Sequence, residues 1–229
     1  FRDNTCRKGQ PLKYKIKALD TAYNLNDASD EIESATTTEK ALIAACVEKY
    51  GEVNILAICH GYNKPQNVLE QSVEDWQYIM DADLKSVYMV CKAASEQMVK
   101  QGKGAVINFS SMAAFRPMTR VAGYAAAKAG ISNFTAYMAT ECAKKFGEGI
   151  RVNAIAPGFF LTEQNRTLLT NPDGSWTQRG ADVIRQTPFG RMGEPEELCG
   201  TIHYLISDAS KFVTGTVAVV DGGFNTFAM

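Results

Sequence analysis

Four short, nearly continuous apolar runs punctuate the chain: Val53–Ile58, Ala105–Phe109, Ile150–Ile155 and Val217–Val220. A strand with one wet face would alternate apolar and polar residues, so unbroken runs predict strands buried on both faces of a parallel sheet. Between them lie Thr38–Tyr50, Val73–Lys100, Ala122–Phe146 and Pro195–Ile206, longer segments whose apolar positions recur at helical spacing. Strand alternating with helix predicts an α/β fold with right-handed crossovers, a doubly wound parallel sheet forming a single domain over 1–229. Ligands bind such sheets beyond the carboxyl ends of the strands, where Gly61, Ser111 and Pro157-Gly158 fall.

Composition narrows this picture mainly by exclusion. At 229 residues the chain is long enough to bury a full core. A formal charge of −1 gives no reason to expect nucleic acid or an anionic membrane surface as partner. No apolar run reaches membrane-spanning length and no signal peptide opens the sequence, so the expected location is the cytoplasm. The six cysteines, Cys6, Cys46, Cys59, Cys91, Cys142 and Cys199, form no Cys-x-x-Cys pair; several lie in apolar runs, which suits reduced core thiols. His60 and His203 are the only histidines and sit in unrelated segments, so no metal site is expected.

The chemistry concentrates at Ser111, Tyr124 and Lys128. Tyr124 and Lys128 lie in Gly123-Tyr124-Ala125-Ala126-Ala127-Lys128, an alanine-rich run of high helix propensity in which residues four apart share a face. An ammonium beside a phenol favours the phenolate and brings a group of unperturbed pKa near 10 towards acid–base use at neutral pH. Ser111 follows the strand-like run Ala105–Ser110, which places its hydroxyl at the sheet's carboxyl edge. Three such groups can hold a carbonyl or carbinol oxygen and exchange its proton, which is half of a hydride transfer.

On these residues the chain resembles the short-chain dehydrogenase/reductase family, whose signature is a serine followed thirteen residues later by Tyr-x-x-x-Lys. Ser111 and Tyr124 are thirteen apart, and further family-like segments follow in order: Cys59-His60-Gly61, Asn108-Phe109-Ser110-Ser111, Arg151–Gly158 and Val220-Asp221-Gly222-Gly223. The resemblance, over about residues 36–229, implies a Rossmann-type oxidoreductase with NAD or NADP as cofactor. It implies Tyr124 as general acid/base, Ser111 as donor to the substrate oxygen, and Lys128 as tuner of the tyrosine and ligand of the nicotinamide ribose. The cofactor would further meet Gly61 on its adenosine side, while Pro157, Gly158 and Thr162 of a Pro-Gly-x-x-x-Thr run would hold the carboxamide. The family's fourth catalytic member is an asparagine whose main-chain carbonyl helps hold a relay water. Here Asp83, in Asp83-Leu84-Lys85-Ser86, takes its place as the relay candidate, with plain helix structure as the alternative.

Two stretches depart from the family pattern. Residues 1–35 contain no glycine cluster to cradle a pyrophosphate, and Tyr124 comes about one strand–turn–helix unit early, so the sequence is expected to be part of a longer chain, with a protein that truly lacks its phosphate cradle as the alternative. Residues 24–33 are polar, a surface loop or the seam of an omitted segment. Arg2-Asp3-Asn4, as a remnant of the turn that reads the ribose, argues for NAD through Asp3 and for NADP through Arg2. The polar stretch 163–191 is long for a connector and is expected to be a substrate lid, with Asn165, Arg166, Arg179 and Arg185 able to meet a carboxylate or polyol. Together with Asp221-Gly222-Gly223-Phe224 it resembles sugar-acid members of the family, the D-mannonate oxidoreductases (fructuronate reductases) and gluconate dehydrogenases. Rival readings are a lipophilic or acyl-carrier-bound ketone as substrate, and a non-catalytic dinucleotide-binding protein on the same fold. Apolar residues on more than one face of 73–100 and 122–146 suggest a homo-oligomer, dimer or tetramer.

Overall fold

Two apolar layers enclose a sheet of four parallel strands in the computed structural model, which describes residues 14–16, 32–34 and 39–227. The strands are β3 (Ile55–Ile58), β4 (Gly104–Phe109), β5 (Ile150–Pro157) and β6 (Val217–Val220), hydrogen-bonded in that order. In register, Ile55 opposes Ala105, Gly104 opposes Ile150, and Ala154 opposes Val217. Two further strands, β1 (Tyr14–Ile16) and β2 (Ile32–Ser34), pair antiparallel in a separate ribbon. The other residues before Glu39, including Arg2, Asp3, Asn4, Cys6, Gly9 and most of the 24–33 segment, lie outside the described residues.

Alternation along β4 shows how the layers divide. Val106 enters one cluster with Ile43 and Cys46 of α1 (Glu39–Tyr50), Val87, Val90 and Ala94 of α3 (Ser86–Gln101), and Ile131 and Met138 of α4 (Ala122–Phe146). Ala105 and Ile107 enter the other, against Leu205 and Ile206 of α7 (Cys199–Ile206). Both faces are thus covered, as the unbroken apolar runs predict, and the fold is a Rossmann-like α/β domain. Asn108 is the polar exception at 0% exposed; it accepts from Cys91 Sγ and donates to Thr135 Oγ1 at 3.0 Å, so its amide is satisfied inside the core.

The helix expected over Val73–Lys100 is not continuous. It begins as α2 (Val73–Met80), capped by the Ser72 hydroxyl accepting from Asp75 N–H at 3.1 Å, and widens into a π-helical turn over Asp81–Lys85 before α3. Most apolar residues assigned to a second helix face belong to the core: Val87, Val90, Ala94, Ile131 and Met138 are all buried. Val73, Trp76, Tyr88, Met89, Tyr137 and Phe146 are the large apolar side chains of these two segments that turn outward. Residues 163–191 also differ from a structureless loop, because they hold two helices, α5 (Glu163–Leu169) and α6 (Gln178–Gln186). The pair packs Leu169 and Val183 with Met192 in a small apolar cluster that reaches Phe159 and Leu161 at the end of β5.

Among the described residues no helix is long and apolar enough to cross a membrane, and no group of three or more His, Cys, Asp or Glu is placed to hold a metal ion. Cys46, Cys91 and Cys142 are buried free thiols, whereas Cys59 and Cys199 are exposed ones. Ile107, fully buried in the central strand, tests the two-layer core. Ile107→Ala is expected to cost about 2–5 kcal/mol in denaturant unfolding; a loss below about 1 kcal/mol would mean that this layer is loosely packed.

Candidate active site

Three glycines set the distances at the carboxyl edge of the sheet. A methyl group on Gly130 would come within 2.9 Å of Leu84, and one on Gly123 would meet Ile79 and Trp76 at 3.3–3.4 Å. Without side chains there, α4 lies close against α2 and the π turn. At Gly61 an added Cβ would be 2.7 Å from Asp83 Oδ1 and 3.4 Å from Lys128 Nζ. The loop after β3 therefore passes directly over both charged groups. Gln66 N–H donates to the Arg120 carbonyl at 2.9 Å and ties that loop to the start of α4, with Arg120 held at φ 66°.

Lys128 is 3% exposed. Its ammonium donates to the Phe109 carbonyl at 3.0 Å and lies 5.4 Å from the centroid of the Tyr124 ring, one helical turn earlier. Ser111 stands two residues beyond that carbonyl and begins the 3-10 turn Met112–Ala114, its hydroxyl accepting from Ala113 N–H at 3.2 Å. Ser110, the rival at this edge, is buried and occupied: it shares a 2.7 Å hydrogen bond with Ser132 and donates to the Lys128 carbonyl. So the serine selected by spacing is also the one whose hydroxyl is not consumed by the α4 backbone.

Asp83 lies in the middle of the π turn and is 0% exposed. Its Oδ1 accepts from Tyr62 N–H at 2.8 Å, while Oδ2 is buried without a hydrogen-bond partner. Burial raises the carboxyl to about 6, against the opposing pull of Lys128 and the Tyr62 N–H. His60 is half-buried beside them, its Nε2 2.6 Å from Ser86 Oγ. Because the Ser86 hydroxyl gives its one hydrogen to the Ala82 carbonyl, the imidazole must donate through Nε2. Desolvation, and then repulsion from Lys128, bring His60 down to about 4, which leaves it neutral at physiological pH.

The cofactor candidates occupy the same edge. Pro157 ends β5, and a Cβ on Gly158 would fall 2.6 Å from Asp221 Cα, so only glycine lets this turn pass the end of β6. Thr162 caps α5, its N–H donating to Asn165 Oδ1 at 2.8 Å. Asn165 is therefore spent on capping, and it also donates to the Phe160 carbonyl, so it is not a free substrate ligand. Arg185 pairs with Asp182 at 2.8 Å on the surface, whereas Arg179 Nε is buried without a hydrogen-bond partner. Asn63 Oδ1 is likewise buried and unpartnered.

One connection has no sequence signal. Arg116, on the loop after Ser111, donates through Nη1 to the Phe224 and Phe227 carbonyls at 2.6 and 3.1 Å, with its guanidinium 5.3 Å from the Phe224 ring. Phe224 in turn meets Phe159 edge-on at 5.2 Å. The loop after Ser111, the turn after β5 and residues 224–227 are thereby held together by contacts between parts distant in sequence.

Sheet, glycine turns and the Ser111, Tyr124 and Lys128 edge suit the class of oxidoreductases that work with a dinucleotide, and the relatives of the chain belong to that class. The family described as "Enoyl-(Acyl carrier protein) reductase" matches residues 20–225. An uncharacterized oxidoreductase UxuB of Bacillus subtilis is 39% identical over 99% of this chain and 85% of its own length. The 2-dehydro-3-deoxy-D-gluconate 5-dehydrogenase of Escherichia coli is 37% identical over 80% of this chain and 70% of its own. Among solved structures, a gluconate 5-dehydrogenase from Burkholderia cenocepacia, in complex with NADP and tartrate, superposes with a TM-score of 0.74 at 32% identity, covering 83% of this chain and 71% of the other. The chain belongs to the short-chain dehydrogenase/reductase family and is an NAD(P)-dependent oxidoreductase of it.

Asp83 keeps its proton to higher pH in the native protein than in the unfolded chain. Its contribution to stability is full below the ordinary value of 3.8 and is lost as pH rises through about 6. Asp83→Asn is therefore expected to gain on the parent by about 2–3 kcal/mol between pH 4 and pH 8, at roughly 1.36 kcal/mol per pKa unit. Denaturant unfolding of both proteins at the two pH values reads the difference, in which the neighbouring His60 cancels; an equal gap at both would show that Asp83 does not titrate.

Proposed function

We propose that the protein oxidises a secondary alcohol, or reduces the matching ketone, on a small sugar acid of the fructuronate/mannonate or gluconate type. The observation that carries this reading is the buried Lys128 ammonium, which faces the Tyr124 ring while gripping the strand end that presents Ser111. A nicotinamide cofactor supplies or accepts the hydride. The residues present suit one: Lys128 spends one N–H on Phe109 and has two left, enough for a ribose diol. Tyr124 would share the ribose contact, with Gly61 on the adenosine side and Pro157, Gly158 and Thr162 around the carboxamide.

In oxidation the substrate hydroxyl gives its proton to the Tyr124 phenolate as the carbinol hydrogen departs with its electron pair, and C–O becomes C=O. In reduction the Tyr124 phenol protonates the nascent alkoxide. Ser111 donates to that oxygen throughout, orienting it and opposing its developing charge. Lys128 favours the phenolate through its positive charge.

Two observations support an acidic, polar substrate. The 163–191 hairpin, which packs on the turn after β5, carries Arg179 with an unspent buried Nε, and an Arg edge suits a carboxylate. Two of the similar proteins are named as dehydrogenases of gluconate or a deoxygluconate. The family's own description, which names an acyl-carrier substrate, favours the rival reading of an acyl-bound ketone.

Absorbance of the reduced nicotinamide, followed with NADH and NADPH against fructuronate, 5-ketogluconate and simple ketones, separates these readings. Turnover confined to acyl or lipophilic ketones would overturn the sugar-acid assignment. Tyr124→Phe is expected to lower kcat by about 10²–10⁴-fold with the fold retained; a rate within about tenfold of the parent would remove Tyr124 from the acid–base role. Lys128→Met is expected to move the alkaline limb of the pH–rate profile to higher pH as well as to slow turnover. An unmoved limb would count against the charge argument.

A further inference from the structure

Where the family carries an asparagine, this chain buries an acid, and the surroundings of that acid are specific. Asp83 is carried on a π turn, whose wide i→i+5 hydrogen bond, Ser86 N–H to the Asp81 carbonyl, lets the backbone bulge out of line with the helices on either side. Tyr62 N–H fixes Oδ1 at 2.8 Å, so the carboxyl is oriented rather than free to rotate. Oδ2 is left buried and without a partner. Across Gly61, whose missing side chain leaves the space open, lies the Lys128 ammonium.

No other group around Asp83 brings a charge that acts on it. From the turn after β3 come the Cys59 thiol and His60, the latter neutral and committed to Ser86. The Tyr62 ring points into an edge contact with Tyr78 at 4.9 Å. On the π turn itself, Asp81 and Lys85 pair with each other at the surface at 3.3 Å. From α4 come Lys128 and, one turn before it, Tyr124. Among the charged side chains of the described residues, Lys128 is the one that acts on Asp83.

We propose that the Asp83 side chain is a positioning residue for the acid–base pair, facing the Lys128 ammonium across Gly61 and setting how much of its charge reaches the phenol. This rests on the roles proposed above for Tyr124 and Lys128. When Asp83 is ionised, its negative charge offsets the ammonium and makes the phenolate less favourable; when Asp83 holds a proton, the ammonium acts undiluted. The relay attributed to this position in the family uses the main chain, which a change from Asp to Asn leaves in place. The side-chain charge is a separate control that belongs to this sequence.

The decisive experiment reads the phenol itself and does not need turnover. The ultraviolet difference between the parent and Tyr124→Phe isolates the Tyr124 titration, and the same difference in an Asp83→Asn background isolates it without the acid. Asp83→Asn is expected to lower the midpoint by about one pH unit, the low end of what a single neighbouring charge produces. Coincident midpoints, or a shift upward, would overturn the proposal. Infrared pH-difference spectra of the parent supply the second measurement: a protonated-carboxyl band that vanishes with a midpoint near 6 and is missing from Asp83→Asn. A carboxyl still protonated at about pH 9, with no charge to set against the ammonium, would overturn the proposal even if the variant failed to fold. If turnover is found, the acid limb of kcat for oxidation, where the Tyr124 phenolate must form, should shift down in Asp83→Asn by the same amount. If no substrate turns over, the functional reading fails while the two spectroscopic titrations still decide this one.

Discussion

Burying an ammonium is costly unless its donors find partners, and the Lys128 ammonium is buried almost completely. It donates to the Phe109 carbonyl at the end of β4, lies beside the Tyr124 ring on its own helix, and has the Asp83 carboxyl nearby across Gly61. That hydrogen bond ties the end of β4 to α4, and the π turn packs beside them. Ser111 inherits its place from this arrangement, two residues past the carbonyl that Lys128 holds. Small residues make the close approach possible, since side chains at Gly61, Gly123 or Gly130 would push these elements apart.

The sequence reading recovered what local pattern encodes. Strands buried on both faces leave unbroken apolar runs, so β3 to β6 were visible within two residues at each end, and α4 was legible from its alanine-rich start to Phe146. The interruption at Asp81–Lys85 left no trace, because a π turn keeps helical dihedrals and merely adds a residue to the turn. The α5–α6 hairpin was hidden for a different reason. Its fixed points are few, Leu169 and Val183 with Met192, and the polar, glycine-punctuated residues between them carry no helical period.

At the site, spacing selected Ser111 over Ser110, and packing supplies the physical reason: Ser110 is consumed by Ser132 and by the backbone of α4. Long-range contacts were not legible. Nothing in the local sequence pairs Lys128 with Phe109, or Arg116 with carbonyls more than a hundred residues away. Asn165 shows the opposite error, a polar residue in a candidate lid that proves to be committed to capping its own helix. Residue type and spacing indicate which groups could do chemistry, whereas tertiary hydrogen bonds decide which of them remain available.

Asp83 is where local consistency and stability part company. An asparagine in the same place could keep the Tyr62 contact through its oxygen and would carry no charge into the interior. The acid instead leaves one oxygen without a partner and, above about pH 6, an ionised group in a dry site. A packing role does not require that cost, because no other side chain depends on Asp83 for a hydrogen bond. What the acid adds is a charge facing Lys128, the one group through which it can act on Tyr124. Departures from the locally most stable choice concentrate where a site needs a particular electrostatic poise, and the position of this acid across Gly61 from the Lys128 ammonium identifies the poise it can set.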